Sequence, residues 1–118
     1  MPVRSLNSSV IKWPPGKEVE KSLNQWSNRL KKERDDVIRI GYFGSYAKGN
    51  WGVGSDLDVI VILNESDEPF ERRGVHFDTS AIPVPTELLV YTQEEWKKMK
   101  TENRNFYRHV SSEIIWLD

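Results

Sequence analysis

From Lys17 to Arg34 the apolar residues Val19, Leu23, Trp26 and Leu30 recur at steps of four, three and four, with Lys, Arg, Glu and Asn between them. That period places them on one face, so the segment predicts an amphipathic helix. Its last turn, Lys31-Lys32-Glu33-Arg34, sets cations at the negative end of the helix dipole. The pattern then changes. Val37-Ile38-Arg39-Ile40-Gly41-Tyr42-Phe43 is rich in β-branched and aromatic residues and too short for a helix, so it predicts a strand. Leu57 to Leu63 predicts a second, and its unbroken apolar run Val59-Ile60-Val61-Ile62-Leu63 suits a central strand covered on both faces. Asn64 to Pro85, with acidic residues, Gly74 and prolines, reads as a long connection in which Val75 and Phe77 could add a short edge strand. Glu87-Leu88-Leu89-Val90-Tyr91 predicts a third strand. Thr92-Gln93-Glu94-Glu95 has the form of a capping box opening a helix that turns Trp96, Met99, Phe106 and Val110 toward the core. Glu113 to Leu117 predicts a closing strand. This order of elements predicts a small α/β (α+β) domain, a mixed β-sheet with helices packed on it, over residues 17–118. Residues 1–16, ending in Trp13-Pro14-Pro15-Gly16, predict an N-terminal arm.

Composition narrows what such a domain can do. The 118 residues fit one domain with one core. Lys plus Arg number 17 against 18 Asp plus Glu, so no net field favours nucleic acid as the main partner. Without cysteine, a disulfide scaffold, a thiolate zinc site and a cysteine nucleophile are excluded. No apolar run approaches the roughly 18 residues of a membrane span, and the first residues lack a signal peptide's apolar stretch. A cytoplasmic protein with no membrane partner is expected.

The chemistry concentrates between Gly41 and Asp58, where five of the seven glycines fall. Gly44-Ser45 directly after a strand can offer backbone N–H groups and a hydroxyl to a phosphate; alone, the pair is an ordinary turn. Asp56 and Asp58 lie two apart at a strand entry, so their carboxylates share a face while Leu57 and Val59 point to the other. Two anions beside so apolar a strand repel one another, and a hard divalent cation relieves them. Oxygen ligands at this spacing suit Mg²⁺ or Mn²⁺, although paired Asp residues also occur in plain polar turns. Glu87 opens the third strand after Pro83-Val84-Pro85-Thr86, and it reaches the same site if the two strands are neighbours. Three carboxylates at one sheet edge are what two-metal phosphoryl transfer needs. Lys48 reads equally as a neutraliser of phosphate charge and as a solvated loop lysine, and Trp51 as a stacking surface or a cover for the core. His76 and His109 have no motif around them.

Gly44-Ser45, ten intervening residues, Asp56-Leu57-Asp58 and the later acidic strand Glu87-Leu88-Leu89-Val90-Tyr91 together resemble the minimal nucleotidyltransferases of the DNA polymerase beta-like superfamily. The resemblance implies the polymerase beta-like palm as fold and Mg²⁺-dependent transfer of a nucleoside monophosphate from an NTP, ATP foremost, to an acceptor hydroxyl. It implies that Gly44 and Ser45 hold the β- and γ-phosphates, that Asp56 and Asp58 bind Mg²⁺, and that Glu87 completes the metal site in place of the family's more frequent Asp. It also implies a partner protein of the HEPN type, or a second copy of the chain. The alternative is a non-catalytic, antitoxin-like protein that acts on such a partner by occlusion.

Overall fold

A computed structural model describes residues 13–117; the arm expected over residues 1–16 lies outside them except for its last four positions. Helix α1 (Gly16–Glu33) follows the two prolines, whose fixed φ suits a helix start, and the Glu18 N–H closes the first turn on the Pro15 carbonyl. It buries Val19, Leu23 and Trp26, as the spacing predicts. Strand β1 (Val37–Phe43) leads into the short helix α2 (Ser45–Lys48), and strand β2 (Leu57–Leu63) follows the glycine-rich loop. Helix α3 (Phe70–Arg73) and a 3₁₀ turn (Gly74–His76) precede strand β3 (Thr86–Thr92). Helices α4 (Gln93–Glu102) and α5 (Arg104–Glu113) and strand β4 (Ile115–Leu117) complete the described chain.

The four strands form one sheet in the order β3-β2-β1-β4. Strand β1 is antiparallel to β2 and β4, and β2 is parallel to β3. The sheet is therefore mixed, and β2 is an inner strand, as its continuous apolar run requires. Alternation along β2 and β3 feeds two cores. Leu57, Val59, Val61, Leu63 and Val90 pack with Val19, Leu23 and Trp26 of α1 on one face. Ile60 and Ile62 meet Val110, Trp96 and Phe106 on the other, the face that α4 and α5 cover. Trp96 is the hub there, with ring centroids 5.4 to 5.9 Å from Tyr91, Tyr107 and Trp116.

Two expectations change. The connection before β3 holds no edge strand: Pro69 starts α3, and Arg73 is buried, donating to the Glu68 and Val90 carbonyls and to both carboxylate oxygens of Glu95. Helical turns deliver that guanidinium to its acceptors. Val75 is left exposed, while Phe77 is buried with the Arg34 guanidinium over its ring. The final helix is two helices. Asn103 leaves helical geometry (φ −136°, ψ 64°), caps α4 by donating its N–H to Met99, and accepts the Tyr107 N–H of α5. The capping box is present in full, with Thr92 Oγ1 accepting the Glu95 N–H and Glu95 accepting the Thr92 N–H. No helix among the described residues is long and apolar enough to cross a membrane.

Candidate active site

The site forms where β1 ends and β2 and β3 begin. Strand β1 stops at Phe43, which pairs with Asp58 on β2. Gly44 then adopts φ +80°, a conformation that side chains rarely tolerate, and a Cβ there would also run into the Asp58 carboxylate oxygen Oδ2. Both demands fix glycine at this position. The chain rises into α2, closed by Lys48 N–H to the Gly44 carbonyl and Asn50 N–H to the Ser45 carbonyl. A tight turn follows, in which the Gly52 N–H donates to Ser55 Oγ and the Ser55 N–H to the Gly52 carbonyl, and it delivers Asp56 to the strand mouth.

The third carboxylate is placed by backbone pairing. The Leu57 N–H donates to the Pro85 carbonyl at 2.9 Å, and the parallel ladder that starts there sets Asp58 opposite Glu87. With a period of two, both fall on the α5 side of the sheet, in line with Ile60 and Leu89. Asp56 and Glu87 are exposed and Asp58 is half-buried. Burial, followed by the charges of Glu87, Asp56 and Glu113, pushes the Asp58 carboxyl above its ordinary value. The strand neighbourhood on which Glu87 depended is thus present. Among the described residues, no three His, Asp or Glu side chains are grouped so that they could hold a metal ion. An open set of carboxylates that draws further oxygens from water and phosphate is the donor chemistry of Mg²⁺, whereas a closed protein cage is not.

Glu113 is the residue that sequence reasoning missed. It ends α5 instead of beginning the last strand, and its carboxylate comes back over the loop. Oε1 accepts the Gly44 N–H at 2.9 Å, and Oε2 lies 3.8 Å from Lys48 Nζ. His109 Nε2 is 3.7 Å from Oε1. Nothing in the sequence marks an acid at a helix–strand boundary, because its contact is with a loop 69 residues earlier in the chain. Lys48 is exposed and turned toward Glu113. Trp51 covers the core: its ring stacks on Tyr46 at 5.5 Å, close enough to Gly16 that a Cβ there would strike the indole. Trp13 is half-buried beside it and donates to the Tyr46 hydroxyl. His76 pairs with Glu68 on the surface, away from this cluster.

Solved structures share the fold. A candidate nucleotidyltransferase from Sulfolobus solfataricus superposes with a TM-score of 0.56 at 14% identity, covering 74% of this chain and 83% of that one. A mutant of the toxin-antitoxin pair MntA-HpeT gives 0.56 at 19% identity, over 80% of this chain and 70% of that one. A toxin-antitoxin structure with AMP-PNP gives 0.51 at 15% identity, over 89% and 73%. No curated protein matches the sequence. The model of the nucleotidyltransferase domain matches residues 23–111, from the middle of α1 to the last turn of α5, and so includes the Gly44-Ser45 loop and all three carboxylates. The chain belongs to the nucleotidyltransferase domain family.

Proposed function

We propose that this chain moves a nucleoside monophosphate from an NTP, ATP foremost, to a hydroxyl on a partner protein, with Asp56, Asp58 and Glu87 as the acidic cluster and Gly44, Ser45 and Lys48 as the phosphate contacts. The observation that carries it is the register of Asp58 against Glu87 directly beneath Gly44. Phosphate donors and carboxylates of a metal-assisted phosphoryl transfer have to adjoin in this way. Bound Mg²⁺ or Mn²⁺, held by Asp56, Asp58 and Glu87 with phosphate oxygens, would neutralise the charge that builds on the transferring group. The chain's own residues do the positioning. The Gly44 N–H and Lys48 hold the β- and γ-phosphates so that the bond from the α-phosphorus to pyrophosphate lies opposite the incoming hydroxyl. That hydroxyl's oxygen bonds to the α-phosphorus, pyrophosphate leaves, and the hydroxyl proton passes to an oxygen of Asp58 or Glu87.

The toxin-antitoxin structures that share the fold favour a protein acceptor, and a HEPN-type toxin is the partner we infer. They equally suit the non-catalytic reading, in which the chain silences its partner by covering it; the three carboxylates argue for transfer. Incubation of the chain and Mg²⁺ with ATP labelled at the α-phosphate separates the two readings. Label should move to the protein encoded beside this one and only slowly to free sugars or aminoglycosides, because positioning the hydroxyl is worth roughly 7–11 kcal/mol of barrier. A tight complex between the two proteins with no label transferred would leave occlusion as the function.

A further inference from the structure

Glu113 sets its carboxylate against the Gly44 N–H. It is the last residue of α5, at the negative end of that helix's dipole. Its side chain is only 12% exposed, and its charge adds to the repulsion on Asp58. What holds it is the Gly44 N–H at 2.9 Å, with Lys48 Nζ 3.8 Å from its other oxygen and His109 Nε2 3.7 Å away at the rim. Two of these three contacts, Gly44 and Lys48, are the groups assigned above to the phosphates. The donors that a triphosphate needs are therefore already turned to an anion of the chain itself.

We propose that Glu113 is an internal occupant of the phosphate loop, which an incoming NTP must displace. The inference rests on the reading of Gly44 and Lys48 as phosphate contacts. A carboxylate presents one negative charge to these donors, whereas a triphosphate presents several charged oxygens along its length and wins the exchange. No covalent bond changes. The Gly44 N–H trades one acceptor for another, the flexible Lys48 follows the larger charge, and the Glu113 carboxylate moves off the loop. Glu113 thereby lowers the affinity for every nucleotide and most of all for those, such as a monophosphate, that lack the charge to compete. A purely structural Glu113, serving only to anchor Gly44 to α5, predicts the opposite sign, since its removal would loosen the loop and weaken binding.

Calorimetric titration of ATP in millimolar Mg²⁺ into the wild type and into Glu113→Gln tests this. Gln keeps the size and an acceptor oxygen but gives up the charge, so ATP should bind about tenfold more tightly to the variant, equivalent to about 1.4 kcal/mol of competing contact. In the wild-type chain, with no mutation to perturb folding, the side-chain carboxyl ¹³C resonance of Glu113 and the amide resonance of Gly44 should move together as ATP is added. Equal or weaker ATP binding by a folded Glu113→Gln chain would overturn the proposal. So would a Glu113 resonance that stays fixed while ATP saturates the wild type. If neither chain binds ATP, the nucleotide reading itself fails and this inference falls with it, whereas binding only by the variant would support displacement in its strongest form.

Discussion

Asp58 concentrates the conflict between stability and the proposed chemistry in one side chain. Its carboxyl is raised by burial first and then by Glu87, Asp56 and Glu113, so the folded chain holds that proton more readily than the unfolded chain, where an Asp titrates at about 3.9. Linkage then fixes the sign. Ionised Asp58 costs the fold stability at any pH above its folded value, and the cost disappears as pH falls through that value toward the unfolded one. Asp58→Asn should therefore abolish nucleotidyl transfer while leaving the chain as stable as the wild type at pH 7, or slightly more so, and should flatten this part of the acid limb in melts recorded from pH 7 to pH 4. An unfolded variant would mark Asp58 as structural. At this scale the sequence was informative where chemistry follows from spacing. The tight backbone at Gly44 and the placing of Asp56 and Asp58 at the mouth of β2 were legible because a strand's alternation and a glycine's freedom are local properties. Glu113 was not, because what makes it matter is a contact with Gly44 across most of the chain.

Between elements, one ion pair binds the long connection to the last helices. Arg73, buried at the end of α3, meets Glu95 with contacts of 2.6 and 3.0 Å, and the same Glu95 closes the capping box of α4. Arg73 holds the Glu95 carboxyl below its ordinary value, so this stabilisation is present above the unfolded Glu value of about 4.3 and is lost as pH falls through the lower folded value. Its acid dependence thus runs opposite to that of Asp58. Glu95→Ala would leave a buried guanidinium without its counter-charge and open the cap, a loss of about 2–4 kcal/mol that urea denaturation at pH 7 should read as a lower midpoint with unchanged slope. The capping box was legible because four consecutive residues encode it. The helical form of the α3 segment and the break at Asn103 were not, since the first depends on Arg73 reaching the Val90 carbonyl on β3 and the Glu95 carboxylate on α4, and the second on a change of backbone at one residue between two segments that are both helix-patterned.

Taken whole, the molecule gathers the proposed site where three strand ends meet, and the sheet order is what brings them there. The sequence pattern was sufficient for β1, β2, β3, the inner position of β2 and the first helix, because each rests on periodicity within a short window, whereas it offered an edge strand at Val75 and Phe77 that the fold lacks and began the last strand at Glu113, which ends α5. It did not give the parallel pairing of β2 with β3 on which the site depends; Glu87 joined the site on the condition that those strands were neighbours, and the ladder from Leu57 and Thr86 onward meets that condition. The central claim, that the carboxylates at this sheet edge hold a divalent cation shared with a nucleotide triphosphate, is tested most directly by calorimetric titration of ATP into the wild type and Asp58→Asn, each in millimolar Mg²⁺ and again with chelator. Wild-type affinity should fall steeply when Mg²⁺ is removed, and Asp58→Asn should bind weakly with little difference between the two conditions. Equal wild-type affinity with and without the cation would contradict the claim.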